Sequence, residues 1–370
     1  MKNTLKNIKK YPVIIFFGFV LYAISIGDLF SPVYERSDLE NRELAKFPKF
    51  SISSLMKNKY NADIETFTTD HFIGRNTWIS IKSVAESAIG KQENNGVVYG
   101  KGGYMFTKVL TPDYKQLDKN LKAVEKFMER HSDRTVTFMA VPTAPGVLTD
   151  LVYKDSPVVD SDYILEQGEN TVKSGKFLNI KQVLQEHRND YIYYRTDHHW
   201  TTRAAYLAFK ELSSAWKLGA KDSSYSFYTV SSSFCGTLSS SAAVKDSADK
   251  IEICVPKKQS GKYTVLYESS SRKTASLFEK EKLNQKNQYE VFLGGNYDKV
   301  IISTAADTSA ALLVFKDSYA NCMLPMLTPY FSKIVIIDPR YFSDSLKAVM
   351  SEARGRNIRI AHSRSSSMAA

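Results

Sequence analysis

From about residue 96 the chain alternates short apolar, β-rich runs with helical patterns, and this alternation constrains the fold more than any other feature. Thr135-Val-Thr-Phe-Met-Ala-Val141 is a continuous buried-strand run stopped by Pro142. Asp190-Tyr-Ile-Tyr-Tyr194, Ala311-Leu-Leu-Val-Phe315 and Lys333-Ile-Val-Ile-Ile337 read the same way. Between them, residues 113–131 place Leu117, Leu121, Val124 and Phe127 on one helical stripe, and 171–187 and Thr202 to Leu212 also read as helices. Strands separated by helices predict an α/β fold, a parallel sheet flanked by helices. Ligands then bind beyond the carboxyl ends of the strands, so the residues just after 141, 194, 303, 315 and 337 matter most. Val97 to Phe106 reads as a hairpin, 229–248 as a Ser-rich loop, and 250–304 as two or three further β-rich runs.

Composition sets the outer limits. With 370 residues, 43% apolar and 24% charged, the chain is globular, and disorder, collagen-like repeats and a polytopic membrane protein are excluded. The net charge of +11 is modest, and no basic run interleaved with aromatics accompanies it, so no nucleic-acid partner is expected; an anionic envelope or polymer fits the charge. Only Cys235, Cys254 and Cys322 occur, without a CxxC pair or zinc spacing. Cys235 and Cys254 are candidates to pair in an extracytoplasmic domain, a question that spacing does not decide, whereas Cys322 reads as a buried apolar residue.

The N-terminus sets the compartment. Residues 1–10 carry four lysines and no acid, and from Pro12 no charge appears until Asp28. This pattern predicts a cytoplasmic basic tail (1–10) and a transmembrane signal anchor (11–30), with everything beyond it extracytoplasmic. A cleaved signal peptide is the alternative, with Ala23-Ile-Ser25 and Ser25-Ile-Gly27 as small-x-small sites and a secreted product. A helical lead-in (31–95) contains Asp70-His-Phe-Ile-Gly-Arg75, the α/β domain runs over 96–350, and 351–370 is left as a C-terminal tail.

Two constellations fall at strand ends. After 190–194 comes Arg195-Thr-Asp-His-His-Trp-Thr-Thr202. In an extended segment residues i and i+2 share a face, so Asp197 can hold His199 while the other ring nitrogen looks outward, the orienter and base of a hydrolytic triad. Trp200 offers an apolar wall, Thr201 or Thr202 a helix cap, and His198, on the opposite face, reads as a supporting group. Metal ligation by Asp197, His198 and His199 is the competing reading; adjacent histidines face apart and no third ligand is placed, so no metal is expected. The second constellation, Phe315-Lys-Asp-Ser-Tyr-Ala-Asn321, joins an apolar strand to a helix. Ser318 there is either a nucleophile lifted out of the sheet near backbone N–H groups, or, with Asp317, a plain N-cap.

These residues resemble the DHHW proteins, relatives of the alginate O-acetyltransferases AlgX and AlgJ in the SGNH-hydrolase superfamily. The resemblance runs from about residue 35 and includes Glu40-Asn-Arg42, Asp70-His-Phe72, Val97-Val-Tyr-Gly100, Val141-Pro-Thr143, Phe234-Cys-Gly-Thr237, Phe292-Leu-Gly-Gly-Asn296 and Asp338-Pro-Arg-Tyr341. It implies an SGNH-like core with rearranged motif order, in which Ser318 is the nucleophile, His199 the base and Asp197 its orienter. Where the alginate branch has Gly-Thr-Ser-Tyr-Ser, this chain has Lys-Asp-Ser-Tyr-Ala. Lys316 therefore either narrows the pocket or binds an anionic sugar, and Tyr319 stands beside the nucleophile. Gly294, Gly295 and Asn296 are oxyanion donors or a tight turn, and Arg340 is a substrate contact or an ion-pair residue.

The resemblance implies an extracytoplasmic O-acetyltransferase that modifies hydroxyls of a cell-envelope polysaccharide or exopolysaccharide through an acyl-serine, without a cofactor. Its acyl donor would be a membrane-bound O-acyltransferase and its acceptor the polysaccharide. A carbohydrate esterase using the same triad and a non-catalytic polysaccharide-assembly subunit are the alternatives.

Overall fold

In the computed structural model the described residues are 11–37, 42–244, 247–257, 263–352 and 358–365. The basic tail expected over 1–10 lies outside them, as do Glu40 and Asn41. The chain divides into two compact units, one up to Lys91 and one from Gln92 onward.

In the first unit, α1 (Pro12–Leu29), α2 (Ile52–Met56), α3 (Lys59–His71) and α4 (Arg75–Ala88) follow one another. Helix α1 has 18 residues, about 27 Å at ~1.5 Å per residue against a hydrocarbon core of about 30 Å, and its end carries Asp28. No helix among the described residues is long and apolar enough to cross a membrane, so the transmembrane anchor expected over 11–30 is not supported. The helical stretch from 52 to 90 is broken where Asn58 and Gly74 take left-handed φ values of 56° and 64°. Asp70, buried at the end of α3, organises the turn. It accepts Arg42 Nη1 at 3.0 Å and the Ala45 N–H at 2.8 Å, and Arg75 lies 3.7 Å away.

The second unit opens with a small antiparallel sheet of Glu93–Asn94, Val97–Tyr99 and Met105–Thr107, which contains the hairpin expected there; its further strands are β1 (Thr135–Val141), β2 (Lys176–Asn179), β3 (Tyr225–Phe234), β4 (Asp249–Pro256), β5 (Tyr263–Tyr267), β6 (Arg272–Thr274), β7 (Lys299–Thr304), β8 (Ala311–Lys316), β9 (Lys333–Ile337) and β10 (Ile358–Ser365). Eight of them form one sheet in the order β6-β5-β7-β9-β8-β10-β1-β2, while β3 and β4 pair as a separate ribbon. The β9-β8-β10-β1-β2 half is parallel; β6, β5 and β7 join antiparallel. The fold is therefore a mixed α/β fold rather than the wholly parallel sheet expected. Strand β10 sits between β8 and β1, so the sheet extends beyond residue 350 into the segment read as a tail.

The apolar runs have burial on both faces as their cause. Leu312 and Val314 of β8 join the larger core cluster with Ala205, Ala208 and Phe209 of the helix Thr202–Trp216; Leu313 and Phe315 join the other with Leu117, Leu121 and Met128 of the helix Tyr114–Arg130. Each buried Leu, Val, Phe or Met among these contributes roughly 1.5–3 kcal/mol. Residues 190–194 form no strand: Tyr193 makes one isolated bridge to Trp200. Ile192, Tyr193 and Tyr194 are fully buried, so their pattern signalled burial rather than pairing. Residues 171–187 split into β2 and the helix Lys181–Glu186, and the Ser-rich stretch holds most of β3 and the helix Thr237–Ala242. All three cysteines are free, including Cys235 and Cys254; burial pushes the Cys322 thiol up to about 12.

The hydrogen bond from Arg42 outweighs burial and lowers the Asp70 carboxyl to about 2. The folded value is depressed, so its stabilisation is complete above the unfolded value near 4 and is lost as pH falls through 2. The protection factor of the Ala45 amide, its exchange relative to the intrinsic rate at each pH, is expected to fall over that window, and Asp70→Asn, costing about 2 kcal/mol, should show low protection throughout; unchanged protection at pH 2 would contradict this.

Candidate active site

A buried carboxylate shapes the loop that precedes Asp197. Asp249 accepts the N–H of Arg195 at 3.0 Å, the N–H of Thr196 at 2.8 Å, the Thr196 hydroxyl at 2.5 Å and the Tyr191 phenol. Thr196 passes this order on, its hydroxyl accepting the Gly236 N–H at 3.0 Å and its carbonyl the Ser239 N–H at 3.0 Å. Gly236 must lack a side chain: a Cβ there would lie 2.3 Å from Asp197 Cβ and 2.7 Å from the Thr196 carbonyl.

That close approach lets the next residue cap the carboxylate. Asp197 Oδ2 accepts the Thr237 N–H at 2.8 Å and the Thr237 hydroxyl at 3.0 Å; Oδ1 accepts the His199 N–H at 3.0 Å and His199 Nδ1–H at 2.5 Å. Burial would raise this carboxyl, but the two imidazoles and its hydrogen bonds hold it far below the usual range. With Nδ1 protonated toward Asp197, Nε2 of His199 presents its lone pair to Ser318, whose hydroxyl donates across 2.7 Å. The sequence pairing of Asp197 with His199 and the meeting with Ser318 are both present.

Ser318 leaves β8 at the start of a short 3₁₀ turn, Ser318–Cys322. Asp317 is the N-cap, accepting the Tyr319 N–H at 3.0 Å, so the Ser318 hydroxyl is not consumed in capping. The same bond occupies one of the N–H groups expected to serve an oxyanion. Tyr289 covers His199: its ring stacks on the imidazole with centroids 3.9 Å apart and planes at 12°, and its hydroxyl donates to the Ser318 carbonyl at 3.1 Å.

The remaining expected residues fall differently. Trp200 is fully buried rather than a wall facing ligand, and its Nε1 donates to the Tyr319 carbonyl at 2.8 Å, while the Tyr319 hydroxyl donates to the His198 carbonyl. Thr201 and Thr202 bond the carbonyls of Tyr191 and Glu252 and cap nothing with their side chains. Lys316 is buried with its ammonium 3.7 Å from Asp338, and it does not line the cavity beside His198. Arg340 forks onto Asp338 at 2.9 and 2.7 Å. Gly294 and Gly295 take φ values of 77° and 123° in a tight turn; the Gly295 carbonyl accepts from Asn321 at 3.4 Å and Asn296 is exposed. His198 has a partly exposed side chain and borders a cavity of about 70 Å³ lined also by Phe106, Thr143, Pro145, Leu238 and Tyr319. Partial burial and the neighbouring His199 lower its pKa to about 4. Ligand atoms of Asp197, His198 and His199 lie within 4.8 Å of one another, but a metal there would compete with the Asp197–His199–Ser318 hydrogen bonds. Tyr289 and Asp249 escaped the sequence reading because no local spacing marks them.

The DHHW protein family model matches residues 98–337. The chain belongs to the DHHW family. No curated protein matches the sequence. A DHHW family protein from Eubacterium siraeum is 23% identical with a TM-score of 0.60, over 73% of this chain and 91% of that one. Bacillus cereus PatB1, in a structure with a sulfonyl adduct, is 14% identical with a TM-score of 0.58, over 72% of this chain and 95% of its own. The O-acetyltransferase domain of Pseudomonas putida AlgJ is 13% identical with a TM-score of 0.44, over 72% and 90%.

In this DHHW protein, Gly236→Ala must push Asp197 away from Thr237. The low-field proton resonance of His199 Nδ1–H is expected to disappear, with a stability loss of about 1–3 kcal/mol from overpacking; a retained resonance would show that Asp197 tolerates the methyl group.

Proposed function

We propose that this protein is an extracytoplasmic O-acetyltransferase acting on the hydroxyls of a cell-envelope polysaccharide or exopolysaccharide, with Ser318 as nucleophile, His199 as base and Asp197 as orienter. The observation that carries the reading is the 2.7 Å bond between His199 Nε2 and Ser318 Oγ, two groups 119 residues apart, with Asp197 at the other nitrogen of the same ring. Membership of the DHHW family supports it, as does the resemblance of the site to an SGNH-like arrangement with rearranged motif order. A sulfonyl adduct in PatB1 suggests the probe.

His199 takes the Ser318 proton as Oγ attacks the acetyl carbonyl; the donor's leaving group departs with that proton, and an acetyl-serine remains. A sugar hydroxyl then gives its proton to His199 as its oxygen attacks the acetyl carbon, and the bond to Ser318 Oγ breaks with the proton returned to that oxygen. The neutral Nδ1–H tautomer held by Asp197 permits both transfers, and Asp197 stabilises the imidazolium between them. Outside the cytoplasm no acyl carrier is free, so the donor side calls for a membrane-bound O-acyltransferase. Hydrolysis by an esterase follows the same steps with water as the second nucleophile.

Incubation with an activated acetyl ester and an oligosaccharide is expected to yield acetylated sugar by mass spectrometry. Ser318→Ala should reduce that yield by on the order of 10³ or more, and an arylsulfonyl fluoride should label the unsubstituted protein at Ser318. Acetate without acetylated sugar would favour the esterase, and transfer persisting in Ser318→Ala would overturn the triad.

A further inference from the structure

The chemistry of one threonine fixes the tautomer of the second imidazole. The Thr237 hydroxyl has a single proton and donates it to Asp197 Oδ2 at 3.0 Å. Its 2.8 Å bond with His198 Nδ1 therefore runs the other way: Nδ1–H of His198 donates to Thr237. Nε2 of His198 is left as a lone pair, with no hydrogen-bond partner among the described residues. Both imidazoles are thus polarised by one carboxylate, His199 directly and His198 through Thr237, and each offers an unprotonated Nε2. One of these meets Ser318.

The other ring lies close beside it. The two ring centroids are 4.0 Å apart, and the partly exposed His198 side chain borders the cavity that also reaches Tyr319, the residue after the nucleophile.

Resting on the acyl-transfer reading above, we propose that His198 Nε2 accepts a hydrogen bond from the hydroxyl adjacent to the one acetylated, so that the site selects acceptors with neighbouring hydroxyls, as sugar rings and other polyols have. The reacting hydroxyl gives its proton to His199, and its neighbour stays protonated on His198. Water and simple alcohols have only one of the two groups, so they reach the acyl-serine without the second contact. His198 is a weak base at neutral pH, which suits an acceptor of a hydrogen bond and leaves proton removal to His199.

The full chain, acetylated with p-nitrophenyl acetate, tests this by competition between trans-1,2-cyclohexanediol and cyclohexanol as acceptors. The diol is expected to be acetylated about tenfold faster at equal concentration, the effect of one good hydrogen bond. His198→Phe should abolish that preference, and His198→Gln, whose Oε1 can replace Nε2 as acceptor, should restore much of it. Equal use of the two alcohols by the unsubstituted protein would overturn the proposal, as would a preference that survives in His198→Phe. A protein that never forms the acetyl-serine would instead refute the acyl-transfer reading itself.

Discussion

The site depends on one buried carboxylate being fully satisfied. Asp197 is 2% exposed, and an ionised carboxylate taken out of water is costly unless its lone pairs find donors. Here four donors come from only two residues, Thr237 and His199. The arrangement stabilises the ionised form, and the ionised form in turn dictates where protons sit on the histidines. Remove the Thr237 bonds and the carboxylate is under-satisfied; admit a side chain at Gly236 and Thr237 cannot approach. The Phe234-Cys-Gly-Thr237 segment therefore belongs to the site as much as Asp-His-His-Trp does.

Two rigid supports bring the halves of the site together. The loop at 195–201 hangs on Asp249, which organises three consecutive polar groups before Asp197 is reached. The turn at Ser318 hangs on β8, whose alternating side chains are locked into cores on both faces of the sheet. Trp200 and Tyr319 then cross-link loop and turn through two hydrogen bonds to main-chain carbonyls. Both aromatics are buried with their polar ends hydrogen-bonded inside the protein; Tyr319 still borders the cavity beside His198, whereas Trp200 does not.

What was legible in the sequence follows from which signals are local. Strands β1, β8 and β9 were readable because burial on both faces demands unbroken apolar runs. Strand β10 was not: Ile358-Arg-Ile-Ala-His-Ser-Arg-Ser365 interleaves polar residues, so nothing in its pattern announces a central strand. Asp190 to Tyr194 misled in the opposite sense, being apolar from burial while its backbone turns toward Asp249. Asp197 and His199 declare themselves by an i, i+2 spacing, and Ser318 by its place at a strand end. Tyr289 and Asp249 reach the site only through tertiary folding from segments with no periodicity of their own.

Lys316, the last residue of β8, is anchored in the interior. Its ammonium lies buried with Asp338 at 3.7 Å, and burial, partly offset by that carboxylate, lowers its pKa to about 8. Asp338 is in turn held by the Arg340 fork, so one carboxylate just past β9 balances two cations, one interior and one half-exposed. The ion pair ties together the ends of the adjacent parallel strands β8 and β9, two residues before Ser318 in the chain. A small residue at position 316 would leave Asp338 with Arg340 alone and remove that tie. The lysine thus braces the end of the strand that leads into the Ser318 turn.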